Sequence, residues 1–347
     1  MRSPIATGVL LAAASAVAFG MTTPAIAWAG RDAGPLTTAA LLYAGAAIAA
    51  LAMRARGTGA GEALRRADIP RIVAIALVGA AVAPVCLAWG IARAGATAGS
   101  LVLNLEAVLT VVLAWMLYRE PLGRRVLLAV AIMATAGGLL ALDASARSNA
   151  GVIGALVVAV ATLAWAIDNT LTRPLAERDP LQVIATKGSL GASLTGSIAL
   201  MWGESLPSAI TIGVLLACGA TGYGISLRLY LAAQRKIGAA RTASIFALAP
   251  FVGAAIAWGL GDRDASVLTA LAAAGFAVGV YLHISEKHAH EHAHDPGEHE
   301  HAHRHDDGHH DHTHDPSVVG EHTHRHSHGP IVHTHDHAPD VHHGHSH

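Results

Sequence analysis

The chain is built from apolar runs that each have the length a helix needs to cross a hydrocarbon core of about 30 Å, and this recurring length limits the folds open to it. Ten such runs can be read, at 5–28, 34–53, 72–92, 95–117, 125–142, 151–171, 181–202, 208–233, 239–260 and 265–284. None has the apolar–polar alternation of a barrel strand, so the expected class is an all-α integral membrane protein lodged in a lipid bilayer. Composition agrees: 53% of residues are hydrophobic and only 14% are charged, the latter gathered between the runs. A net charge of −1 argues against nucleic acid as a partner. Cys86 and Cys218 both lie inside apolar runs, which suits packing better than a disulfide or a thiol catalyst. The first run, with Arg2 before it and Ala25-Ile26-Ala27 near its end, shares features with a cleavable signal peptide. Its length, and the spans that follow at once, favour a retained helix.

One stretch comes back. An offset of 143 residues carries Gly95 onto Gly238, Ala96 onto Ala239, Leu105 onto Leu248, Trp115 onto Trp258 and Leu117 onto Leu260, as a duplicated unit would. The basic residues add a direction. Arg54, Arg56, Arg65, Arg66 and Arg71 crowd the second-to-third connection, and Arg119, Arg124 and Arg125 the fourth-to-fifth. Arg173 and Arg178 mark the sixth-to-seventh connection, and Arg235, Lys236 and Arg241 the eighth-to-ninth. Counted within each unit, the basic connections are the second and fourth of the first five spans but the first and third of the second five, as an inverted copy requires. The expected organisation is a first five-helix repeat at 1–143, a second at 150–285, and a different kind of segment at 288–347, with both termini on the cytoplasmic side of a cell (inner) membrane.

Ser100, Leu105-Glu106-Ala107-Val108, Trp115 and Glu120 in the first unit, Ala249-Pro250-Phe251 and Trp258 in the second, and the ten-span layout together resemble the EamA-type branch of the drug/metabolite transporter superfamily. The resemblance covers roughly residues 5–284. It implies a secondary transporter, often an exporter, that works by alternating access around a cavity between two five-helix halves. Ala107 stands where the family often has proline, which implies a straighter fourth helix here.

Charges inside the spans are the next constraint, because a carboxylate at bilayer depth costs on the order of 2.5–3.5 kcal/mol. Glu106 falls near the middle of the fourth span with no evident partner at its depth, and an unpaired carboxylate there suits proton or substrate coupling. A hydrogen-bonded packing carboxyl is the plainer alternative. Asn104 is two positions away and so on another face; it lines up with Ser100 and is expected to bond across to a neighbouring helix. Asp168, Lys187 and Arg228 share a shallower depth on consecutive spans. They read either as a neutralising set that fixes helix register or as a gate, with Asn169 beside them in a packing role. Gly188, Ala192 and Gly196 recur every fourth residue, a pattern of close helix packing. Trp28, Trp202 and Trp258 lie at span ends as interfacial anchors.

All 24 histidines lie between His283 and His347. The dominant pattern is His-x-His. His290, His292 and His294 open it, followed by His299, His301, His303 and His305, then His309, His310, His312 and His314. His322, His324, His326 and His328 form a further run, then His333, His335 and His337, and His342, His343, His345 and His347 close the chain. With no apolar period the segment has no core to bury and is expected to be disordered without a ligand. In an extended chain every second side chain faces one way, so neighbouring imidazoles can meet on one ion, and neutral imidazole suits Ni, Co, Zn and Cu. A pH-responsive polyelectrolyte is the competing reading. No cofactor is obligatory in this scheme, and no enzyme motif is present: no nucleotide loop, no Ser-His-Asp set and no ordered zinc site with an open position.

The sequence thus points to a carrier of a small solute or metal ion whose tail captures or senses transition metal. The rival is a membrane-anchored metal store or sensor that transports nothing. Untagged full-length protein is expected to be retained on nickel- or zinc-loaded resin and released by imidazole. Truncation before His288 should end that retention, and equal retention without the tail would remove the metal assignment.

Overall fold

The computed structural model describes residues 4–57, 61–118, 123–175, 178–237, 242, 245–262 and 266–284, and in the tail 289–294, 297–303, 322–328 and 331–336. Contacts divide the chain into a helical unit, Met1–Glu286, and a tail unit, Lys287–His347. Among the described residues seven helical stretches are long and apolar enough to cross a membrane: Ala6–Ala29, Pro35–Ala55, Arg66–Ala94, Ala96–Leu117, Arg124–Ala146, Asn149–Thr172 and Ala209–Ala233. Ala249–Gly259 and Val267–Leu282 are shorter apolar helices. Pro180–Trp202 is also helical, and Gln182, Lys187 and its many small residues make it less apolar.

Several of these stretches are interrupted. In chain order the α-helices are α1 (Pro4–Gly20), α2 (Thr22–Ala29), α3 (Pro35–Ala55), α4 (Ile69–Ile75), α5 (Ala83–Ala94), α6 (Ala96–Val102), α7 (Leu105–Tyr118), α8 (Arg124–Arg147), α9 (Asn149–Thr172), α10 (Pro180–Trp202), α11 (Ala209–Cys218), α12 (Ser226–Ile237), α13 (Ala249–Gly259) and α14 (Val267–Ile284). A π-helical segment, Ala76–Val82, joins α4 to α5, and another, Gly219–Ile225, joins α11 to α12. The 143-residue offset carries the first segment onto the second. Their local causes differ. Pro84 has no N–H to return to the preceding turn, whereas the second segment holds Gly219, Gly222 and Gly224.

A second pair of interruptions also matches. Between α6 and α7 the chain tightens, with Asn104 N–H donating to the Leu101 carbonyl at 3.1 Å and Glu106 N–H to Leu103 at 3.0 Å. Just before α13, Leu248 N–H donates to Ile245 at 3.1 Å, and Pro250 then opens the helix. The straighter fourth helix implied by Ala107 is therefore not found. Asn104 supplies the reason, because its side-chain N–H₂ donates to the Leu101 carbonyl at 3.0 Å and holds the turn without proline.

Helix partners run across the two halves. α3 packs on α10, α8 on α14 and α6 on α13, and the α5–α9 contact has its counterpart in α1–α12. Exchanging each of these helices for its equivalent in the other half returns this set of contacts. Close approach depends on missing side chains: a Cβ on Gly188 would stand 3.0 Å from the Tyr43 carbonyl oxygen, and one on Gly196 would stand 3.6 Å from Ala40. Gly219 lies against the Leu42 backbone, closer than any Cβ could sit.

The two ends of the helical unit are tied by different chemistry. At the end bearing the basic connections, Arg178 pairs with Asp68 at 2.8 Å and with Glu62, while Arg54 pairs with Asp179 at 3.2 Å. At the other end carboxylates accept from helix starts in the opposite half. Asp32 takes Ser208 N–H at 2.8 Å and the Thr211 hydroxyl at 2.7 Å, and Glu204 takes Thr37 N–H at 2.8 Å and its hydroxyl at 2.7 Å. Asp143 accepts from Ser266 and Thr269 hydroxyls, the latter at 2.7 Å. The bonds from Thr211 and then Ser208 hold the Asp32 carboxyl below the usual carboxylate range. Its contribution is thus present at neutral pH and fades as pH falls through that lowered value.

In the tail unit four strands are described: β1 (Ala289–His294), β2 (Gly297–His303), β3 (His322–His328) and β4 (Ile331–Asp336). β1 pairs with β4 and β2 with β3, both antiparallel. The His-x-His alternation has the strand period of two, which accounts for the extended form. A two-stranded ladder is at best marginally stable in water, so this order is weakly held.

Gly219→Val is expected to lower the melting temperature in detergent, because it drives a side chain into the α3 backbone; overpacking of this kind costs about 1–3 kcal/mol. Gly213→Val on the same stretch, where a Cβ meets nothing within 4 Å, is the control and should melt with the parent.

Candidate functional site

The turn between α6 and α7 places Glu106 in the first helical turn of α7. Its carboxylate accepts from the Asn169 side-chain N–H₂ on α9 at 2.8 Å. The sequence reading expected no partner at this depth and gave Asn169 a packing role; instead the two meet across the halves. Nothing in the linear order marks the pairing, since Glu106 and Asn169 lie 63 positions apart.

Asp168, the residue before Asn169, pairs with Lys187 on α10, and both side chains are largely buried. Its second oxygen, Oδ1, has no hydrogen-bond partner among the described residues. Room for the carboxylate exists because Gly79 in the first π-helical segment faces it, and any side chain there would collide with it. Arg228 on α12 does not join this pair, so the three-charge set expected from sequence reduces to two. Asn104 is buried and spends its N–H₂ on Leu101 within its own turn, not on a neighbouring helix.

Sequence reasoning missed the aromatic groups beside this polar pair. The Tyr43 hydroxyl donates to the Gly79 carbonyl at 2.6 Å, and Trp165 Nε1 donates to the same oxygen at 3.0 Å. Two donors can share one carbonyl here because a π-helical turn withdraws it from the regular ladder. Tyr223, from the second π-helical segment, stands 5.4 Å from Tyr43, 6.3 Å from Trp165 and 5.6 Å from Phe19, ring centre to ring centre. The usable signal was scarcity: aromatics are only 4% of the chain, yet Tyr43, Trp165 and Tyr223 lie in the interior of apolar runs.

Chemically, Glu106 has a neutral donor and no counter-charge in direct contact. Asn169 supports the ionised form without neutralising it, so a proton or a cationic group can take that place. Asp168 is already neutralised by Lys187. The two acidic residues, Asp168 on α9 and Glu106 held by the adjacent position of that helix, therefore have separate jobs.

Among the described residues no group of three or more His, Cys, Asp or Glu is placed to hold a metal ion. The tail strands bring histidines opposite one another in pairs: His290 with His335, His292 with His333, His299 with His326, His301 with His324 and His303 with His322. His294 and His328 lie opposite Ile331 and Gly297. His305, His309, His310, His312, His314, His337, His342, His343, His345 and His347 lie outside the described residues, as does Glu120.

Comparison with known proteins gives a consistent answer. The EamA-like transporter family matches twice, at residues 6–142 and 152–285. An uncharacterized transporter of Methanothermobacter thermautotrophicus is 25% identical over 230 residues, covering 63% of this chain and 65% of the relative, so the match spans just under two thirds of that protein. A solved structure titled only as the crystal structure of a protein is similar with a TM-score of 0.59 and 20% identity, over 80% of this chain and 95% of that one. This last likeness concerns the fold.

Lys187→Met alone is expected to destabilise the helical unit by about 3–5 kcal/mol, since it strands a buried Asp168. Asp168→Asn combined with Lys187→Met should recover most of the loss in a detergent melting experiment. A double variant as unstable as the single one would show that the pair does more than neutralise itself.

Proposed function

Because this chain belongs to the EamA-like transporter family, and is a multi-pass membrane transporter, we propose that it is a secondary active exporter of a small solute. It works by alternating access between two inverted five-helix halves, with Glu106 as the group that takes up and releases the coupling proton or the solute's cationic group. One observation carries this reading: Glu106 sits at a helix interruption in one half and is held by an uncharged donor from the other, so its charge state is sensed by both. Asp168 and Lys187 form a register-fixing pair beside it. Asn104 holds the turn on which Glu106 is mounted, and Arg228 remains available to the solute's path. The histidine tail binds Ni, Co, Zn or Cu on the cytoplasmic side as cargo relay or regulator, its His-x-His pattern being the source of the imidazole ligands.

The test is transport in membrane vesicles with nickel, cobalt, zinc and a panel of amino acids, using full-length protein and protein truncated before His288. Glu106→Gln is expected to lose accumulation driven by a proton gradient by about tenfold or more while still reaching the membrane. Undiminished accumulation would sink the coupling role. If truncation alone abolishes metal tolerance and Glu106→Gln changes nothing, the protein is a membrane-anchored metal store.

A further inference from the structure

The segment leading to Glu106 is a short rod between two joints. At one end is Gly95, whose φ of +85° is a conformation that side-chain-bearing residues rarely adopt. At the other is the Leu103–Asn104 turn, tightened by bonds from Leu103 N–H to Ser100 and from Asn104 N–H to Leu101. Between them, α6 is buried along its length, with Ser100 fully inaccessible and its hydroxyl unpartnered among the described residues.

The rod is fastened at its Gly95 end by the other half. Asp262, just past α13, accepts Thr97 N–H through Oδ2 at 2.7 Å, and the Thr97 hydroxyl donates to the Asp262 carbonyl at 3.0 Å. A Cβ at Gly95 would lie 3.3 Å from the same carboxylate, so the joint and the fastening share one site. These bonds cross between halves, as do those of Asp32 and Glu204 at the same end. Asp262 differs from them in what it holds: their helices α3 and α11 have no such turn within seven residues of the cap, whereas α6 has a joint on both sides.

We propose that Asp262 is a latch on this end of the transporter, and that its release lets α6 swing about Gly95 and Leu103–Asn104 so that the interior near Ser100 and Glu106 opens towards that end. The inference rests on the transporter reading but names a device that reading does not contain. A charge-assisted bond to a backbone N–H is strong enough to hold a state, yet a single carboxylate can let go without unfolding the helices beside it. Opening breaks none of the ion pairs at the opposite end, which can therefore stay shut meanwhile, as alternating access requires.

The experiment uses full-length protein in which Cys86 and Cys218 are replaced by alanine and Ser100→Cys is the reporter. A membrane-impermeant maleimide is applied to vesicles of each orientation. Asp262→Ala is expected to raise the labelling rate about tenfold from the Asp262 side only, whereas Thr97→Ser, which keeps both donors, should label like the parent. An unchanged rate in Asp262→Ala that elutes as folded protein overturns the latch and leaves Asp262 as a plain helix cap. Should Asp262→Ala not fold, Thr97→Val removes only the hydroxyl half of the contact and is expected to give about a threefold rise. An unchanged rate there overturns the proposal equally. Labelling needs no substrate, so it succeeds or fails separately from the transport assay.

Discussion

Inside a bilayer every backbone N–H and carbonyl must find a partner within the protein, and the organisation of this molecule follows from how it meets that demand where its helices break. At Asn104 the side chain closes the turn itself. At Gly79 the released carbonyl accepts from Tyr43 and Trp165, and these two rings are thereby fixed beside the polar pair of α9. Both of these interruptions are thus repaired by a side chain from the same half or the other, and each repair positions a residue of the candidate site. Glu106 owes its level to one such repair and Asp168 its space to another.

The charged residues sort by depth. Near the centre, Glu106 has only the Asn169 amide, and Asp168 is matched by Lys187. Towards the ends, charges become plentiful and their partners are backbone donors, hydroxyls or guanidinium groups. That gradient is what insertion energetics predict, since a lone carboxylate is expensive only where water is absent. Among the described residues Glu106 is held by an uncharged donor where Asp168 has a cation, and functional charge is retained in membranes at such places.

Much of this was legible in the sequence. Run length marked apolar stretches, seven of which are helices long enough to span a membrane, the 143-residue offset agrees with the two family matches, and the isolation of Glu106 in an apolar run singled out the residue around which the candidate site is drawn. The resemblance rested on residues that the family match at 6–142 and 152–285 brings in whole. What could not be read was anything that depends on helix interruptions. Glu106 stands just after the Leu103–Asn104 turn and its partner Asn169 lies 63 positions away, so no helical spacing announces the pair. The π-helical segments are equally silent, because one comes from Pro84 and the other from a group of glycines, with no shared motif. Carboxylates such as Asp32, Glu204 and Asp262 looked like ordinary connection residues, since their partners lie more than 160 positions away.

The crossed caps have a consequence for biogenesis. Asp32 and Asp143 of the first half finish helices that the ribosome has not yet made, while Glu204 and Asp262 finish helices already inserted. The first of the two matched segments must therefore wait in the lipid with helix starts at Thr37 and Thr97 still seeking acceptors, and its assembly is completed by translation of the second. Two separately encoded halves that meet in one membrane should thus behave as obligate complements, each the assembly template of the other.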